Sequence, residues 1–205
     1  MMLRIEPSTE ISDRVDFPLL CNARGYRYAI EIGVDMGVFA RQFLSRWNGE
    51  YIHLIDPYGY DEFFPWDRTL DMLTATAALL PYHGRYKFVR AQSPQCEPLV
   101  WWKVQPQFVY IDAAHDRASV AADIAAWWSR LAPDGMLAGH DYDPDLPGVI
   151  EAVNAFAERE NVVVRLTSEP DFPPSWYVYK TEPAELIHQY FRKGSEVNPH
   201  ATTET

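Results

Sequence analysis

The chain is short of cysteine, short of positive charge and free of long apolar runs. Cys21 and Cys96 are its two cysteines, and their spacing matches no metal-ligand pattern. That excludes a disulfide scaffold and predicts a reducing compartment, the cytoplasm. No stretch approaches the roughly 18 consecutive apolar residues that cross a bilayer. Met1 to Asp16 scatters Arg4, Glu6, Glu10, Asp13, Arg14 and Asp16 among its apolar residues, so a secretory signal is not expected. Lys and Arg total 18 against 29 Asp and Glu, a formal net charge of −11. Such a field repels phosphate backbones and anionic membranes unless a basic stripe offsets it. Arg85, Lys87 and Arg90 are the nearest thing to one. Neither nucleic acid nor membrane is therefore expected as a partner. With 10 Gly and 16 Pro in 205 residues, low complexity is excluded, and the length suits one domain with its own core.

What the chain does have is a series of short apolar runs alternating with amphipathic stretches, the pattern of βαβ units. Strands are predicted at Tyr28–Ile32, Tyr51–Ile55, Tyr86–Arg90, Phe108–Ile111 and Met136–Gly139. Two more, Val162–Thr167 and Trp176–Lys180, read as an antiparallel pair at the sheet edge. Helices are predicted over Val38–Trp47, Arg68–Leu80, Ala118–Leu131 and Gly148–Arg159. The expected fold is α/β, a single doubly wound, mainly parallel, Rossmann-like sheet with that antiparallel edge pair. Residues 1–27 read as an N-terminal helical segment, 28–180 as the domain proper, and 181–205 as a polar tail, partly disordered, with one weak helical stretch at Ala184–Phe191.

Ligands of open parallel sheets bind beyond the carboxyl ends of the strands. Polar residues gather at four such ends: Gly33–Gly37, Asp56, Asp112 and the pair His140–Asp141. The first turn departs from the dinucleotide fingerprint. Asp35 and Val38 occupy the second and third glycine positions, and a carboxylate at the second would repel a pyrophosphate. The turn suits a ligand without phosphate.

Glu31-Ile32-Gly33-Val34-Asp35-Met36-Gly37 resembles motif I of the class I S-adenosylmethionine-dependent methyltransferases. The donor is a cation, which the local acidic residues would attract. The resemblance implies a cofactor site of Glu31, Gly33, Val34, Gly37 and Asp112. It implies that Asp56, 25 positions beyond Glu31, takes the ribose hydroxyls, and that Gln92 and Ser93 frame the adenine. The run Tyr110-Ile-Asp-Ala-Ala-His115, with His140-Asp141 further on, is similar to small bacterial O-methyltransferases of macrolide sugars and other natural products. That likeness implies a small-molecule acceptor, a divalent metal (Mg, Mn, Fe or Zn) on Asp112, His140 and Asp141, and His115 as a base working with Asp112 and His140. His140 departs from the carboxylate more usual in the metal-binding relatives.

Alternatives stay open at this point. His140 and His115 could form a metal-free acid–base pair, or His140-Asp141 could simply cap the strand end. The set Asp112, His115, His140 and Asp141 would also serve a metal-dependent hydrolase, whereas a serine hydrolase lacks its Gly-x-Ser-x-Gly elbow here. A non-catalytic cofactor-binding protein is a further reading. Tyr58, Tyr60, Phe63, Phe64 and Trp66 form an aromatic loop that reads as an acceptor wall, a lid, a core patch or a homo-oligomer contact.

Overall fold

The computed structural model describes residues 3–59, 67–96, 105–168 and 173–181. The strands are β1 (Arg4–Pro7), β2 (Tyr28–Ile32), β3 (Tyr51–Ile55), β4 (Tyr86–Val89), β5 (Phe108–Ile111), β6 (Met136–Gly139), β7 (Val163–Leu166) and β8 (Trp176–Tyr179). The helices are α1 (Phe17–Ala23), α2 (Val38–Arg46), α3 (Thr69–Leu79), α4 (Arg117–Arg130) and α5 (Pro147–Glu160). One sheet runs in the order β1-β7-β8-β6-β5-β2-β3-β4. Only β8 opposes its neighbours; every other pairing is parallel. The doubly wound, mainly parallel sheet expected from the sequence is the one observed.

Parallel strands are covered on both faces and therefore read as unbroken apolar runs. Phe108-Val-Tyr-Ile111 is buried along its whole length, and so is the antiparallel but internal β8, Trp176-Tyr-Val-Tyr179. Their side chains alternate between two cores. Phe108 and Tyr110 join Phe17, Phe39, Phe43 and Trp47 under α1 and α2. Val109 and Ile111 join Ile124, Trp127, Val153 and Phe156 under α4 and α5.

Two expectations about the sheet edge are corrected. The N-terminal segment opens with a strand, β1, which pairs parallel to β7. The antiparallel pair β7/β8 is thus internal and β1 forms the edge. All four β1 residues are exposed, so no burial pattern marks this strand in the sequence. Of the helical segment expected over residues 1–27, the α-helix is Phe17–Ala23, because Pro18 fits only a first turn. The stretch 184–191 and the aromatics Tyr60, Phe63, Phe64 and Trp66 lie outside the described residues. No described helix is long and apolar enough to cross a membrane.

The order around β2 places the site. The chain moves outward from β2 to β3 and β4, then returns to the other side of β2 as β5. The β2/β5 boundary is a topological switch point, where connections leave in opposite directions and open a crevice.

Candidate functional site

A cleft of about 710 Å³ opens at that boundary, within the range of small-molecule sites. Its wall includes Gly33, Asp35, Asp56, Arg68, Gln92, Ser93, Asp112, His115 and Asp123. Gly33 must be glycine twice over: its φ is +82°, and a Cβ would overlap the Asp112 carbonyl oxygen. The β2 and β5 strand ends can therefore touch, which brings the turn and Asp112 onto one wall.

The turn is held from β3. Asp56 Oδ2 accepts the Val34 and Asp35 amides, both at 3.0 Å. Oδ1 accepts the Tyr58 amide at 2.9 Å and Arg68 Nη1 at 3.2 Å. The Tyr58 hydroxyl donates to the Asp35 carbonyl at 2.7 Å, and burial drives the phenol pKa up out of reach. Arg68 also donates to Asp35 Oδ1 at 2.8 Å and to Asp71 Oδ2 at 3.1 Å. A carboxylate has about four acceptor positions, so Asp56 is fully used in clasping the turn. A ribose would have to displace Arg68 Nη1. Arg68 carries no signal in the sequence, and Tyr58 stands out there only as one of the loop aromatics; the fold brings both to Asp56.

Glu31, Val34 and Gly37 do not line the cleft. Glu31 is 1% exposed and lies behind the turn. Burial first, then the Asp112 and Asp56 carboxylates, push its pKa well above the ordinary carboxylate range. Its Oε2 has no hydrogen-bond partner among the described residues.

At the cleft mouth the β5 and β6 ends meet. His115 Nε2 lies 2.9 Å from Asp141 Oδ2, and His140 Nδ1 lies 2.8 Å from Asp141 Oδ1. Asp141 adopts φ +61°, a strained value that turns its carboxylate back between the two rings. Burial raises the Asp141 pKa, but the two imidazole hydrogen bonds outweigh it and the net shift is downward. The hydrogen bond to Asp141 raises His115. Burial raises Asp112, although His140 and Arg14 pull the other way. Arg14 Nη1 reaches to 3.6 Å from Asp112 Oδ2, a contact from the N-terminal segment that the sequence did not suggest. Gly148, at the start of α5, seats this corner: a Cβ there would overlap the His115 carbonyl.

Metal-ligating atoms of Asp112, His115 and Asp141 all lie within 4.8 Å of one another. The set predicted from sequence was Asp112, His140 and Asp141. His140 Nδ1 is instead turned to Asp141 and stands 4.0 Å from Asp112. Among the described residues, the side chain that groups with Asp112 and Asp141 is His115. Two carboxylates and an imidazole suit Mg²⁺, Mn²⁺, Fe²⁺ or Zn²⁺. Atoms sharing an ion with bonds of about 2.0–2.2 Å lie within about 4.4 Å, so a small adjustment would gather them.

Sheet order, switch-point cleft and acidic strand ends define a Rossmann-like domain built around a small ligand. Comparison with known proteins narrows this. The chain belongs to the methyltransferase domain family, whose model matches residues 30–142. The methyltransferase expected from the sequence is thereby shown, and the hydrolase alternative falls. No curated protein matches the chain by sequence. Solved structures match by fold. The O-methyltransferase TomG from Streptomyces achromogenes, in complex with SAM, is 14% identical over 81% of this chain and 78% of that chain, with a TM-score of 0.61. An O-methyltransferase from Bacillus cereus, in complex with SAH, is 15% identical over 84% of each, with a TM-score of 0.60. An rRNA methylase from Streptococcus thermophilus is 14% identical over 82% of this chain and 94% of that chain, with a TM-score of 0.58. Since an rRNA methylase shares the fold, the fold does not exclude nucleic acid. Charge remains the argument against it.

Proposed function

We propose that this protein transfers the methyl group of S-adenosylmethionine to a hydroxyl oxygen of a small molecule, such as a sugar or natural-product unit. One observation carries the reading: Asp112 and His115, which group with Asp141, line the same cleft as Gly33 and Asp35 of the motif I turn. The donor sits with its sulfonium toward Asp112, and the acceptor hydroxyl enters beside His115. The new O–C bond forms as the C–S bond breaks, leaving S-adenosylhomocysteine.

His115 receives the hydroxyl proton. Asp141 engages Nε2, so in the neutral tautomer Nδ1 is the basic atom. His140 donates Nδ1–H to the other Asp141 oxygen, holding Asp141 in place. It is a positioning residue rather than a ligand. Alignment of donor and acceptor supplies much of the rate.

A second reading is favoured by the gathering of three ligand atoms at this corner. There Asp112, His115 and Asp141 would hold a divalent cation, which would supply acidification of the acceptor hydroxyl. Chelation separates the two: turnover that survives EDTA leaves His115 as the base.

His115→Ala should keep affinity for S-adenosylhomocysteine and lose turnover on hydroxylated acceptors. Unchanged turnover removes His115 from the mechanism. Methylation of ribosomal RNA in place of small molecules would overturn the acceptor class. Wild-type protein that ignores both the donor and its demethylated product overturns the whole reading.

A further inference from the structure

On α4, one carboxylate has no structural explanation. Asp123 is 6% exposed, yet it lines the cleft. Among the described residues its hydrogen-bond partner is Ser93, on the turn after β4, and the direction of that hydrogen bond is determined. Trp127 Nε1 donates to Ser93 Oγ at 2.7 Å. An indole N–H can only donate, so the hydroxyl proton points to Asp123. Trp127 is itself buried to 2%, so the relay is rigid. Ser93 fills one of about four acceptor positions of the carboxylate. A buried carboxylate so lightly satisfied, facing an open cleft, calls for a donor from a ligand.

The reading of this cleft as a donor site, on which the inference rests, limits the choice of group. S-adenosylmethionine offers N–H or O–H donors at the ammonium, the ribose and the purine amine. The sulfonium lies at the Asp112–His115 corner. Asp123 lies six residues beyond Arg117, the first of α4, about 9 Å along the helix at a rise of 1.5 Å per residue, and His115 stands just before the helix start. The amine across the purine is the donor group furthest from the sulfur, and the walls beside Asp123 are Ala91, Pro94 and Ala122, small and apolar enough for the faces of a flat ring.

We propose that Asp123, oriented by Ser93, accepts a hydrogen bond from the exocyclic amine of the adenine and sets the specificity for an adenosyl donor. The carboxylate selects an amino group at that position and rejects purines without one, because its buried charge would then lack a partner.

Calorimetric titration tests this with two ligands: S-adenosylhomocysteine and its analogue in which hydrogen replaces the purine amine. Wild-type protein should prefer the amine by about 10- to 100-fold, the equivalent of one charge-assisted hydrogen bond. Asp123→Ala should bind both within about threefold. Asp123→Asn preserves shape and one acceptor, so it serves if the alanine variant does not fold, and its preference should drop to about 10-fold or less. Ser93→Ala should lie between wild type and Asp123→Ala. A wild-type protein that binds both ligands equally, or an Asp123→Asn variant with undiminished preference, overturns the role of Asp123 while leaving the donor reading intact. Failure of the wild type to bind either ligand refutes the donor reading itself.

Discussion

Asp123→Asn should make the protein more stable at neutral pH, and the size of the gain can be worked from the structure. Burial is the main reason that the Asp123 carboxyl is raised from 3.8 to about 6, with the Ser93 hydrogen bond opposing it only in part. A raised carboxyl contributes its full share of stability below pH 3.8, where both states are protonated. That share is lost as the pH climbs toward 6, because the unfolded chain ionises more readily. The loss above pH 6 is about 3 kcal/mol, at about 1.4 kcal/mol for each tenfold change in affinity for the proton. Asparagine keeps the shape and the Ser93 acceptor but cannot ionise. The variant should therefore match wild type near pH 4 and exceed it by about 2–3 kcal/mol at pH 7–8. For a chain of this size that is a rise in Tm of about 5–10 °C. Urea unfolding at several pH values reads the difference directly. Parallel curves for the two proteins from pH 4 to pH 8 would show that the carboxylate is not under the strain inferred, and would remove the reason for seeking its ligand.

Gly33→Ala should cripple the protein. Its Cβ has no room against the Asp112 carbonyl and its φ is +82°, so a drop in Tm and loss of S-adenosylhomocysteine binding are expected; a normal Tm contradicts the close approach of β2 and β5. Arg68→Met strips the guanidinium from Asp35, Asp56 and Asp71, and Asp56 is 3% exposed. An uncompensated buried carboxylate costs about 3 kcal/mol or more, and adding Asp56→Asn should recover part of it. If urea unfolding shows the double variant to be no more stable than Arg68→Met, the clasp is not the source of the loss.

The strands that carry the site were visible in the sequence because each is an apolar run closed by a polar residue. Glu31-Ile-Gly33 and Tyr110-Ile-Asp112 mark both the strand end and the switch point. The edge strand β1 was invisible: its residues are all exposed, and its pairing with β7 bridges more than 150 positions. The site was legible to the same extent. Residues next to a strand end, such as His115 and Asp141, could be found by position. Arg68, Arg14 and Asp123 come from a helix start, a short turn and a helix interior, where spacing says nothing about a cleft. His140 shows the limit of reading by position, since its Nδ1 is engaged by Asp141 while a ring nitrogen of His115 groups with the Asp112 and Asp141 carboxylates.

The charge of the cleft leads to a prediction about the catalytic cycle. Among the described residues, four aspartates, Asp35, Asp56, Asp112 and Asp123, line it against one arginine, Arg68. The methyl donor bears a sulfonium cation and the product a neutral sulfide, with little other difference in shape. Each unit of uncompensated negative charge at about 8 Å favours the donor by about 2 kcal/mol at an effective dielectric of 20, before screening. The donor should thus bind several-fold tighter than the product at about 20 mM salt, and the ratio should fall toward one at about 500 mM as the Debye length shrinks to a few ångströms. Product then leaves because methyl transfer itself removes the charge that held the donor. Equal affinities at low salt, or a ratio indifferent to ionic strength, would mean that the buried carboxylates are neutralised within the fold and that donor recognition rests on shape and hydrogen bonds alone.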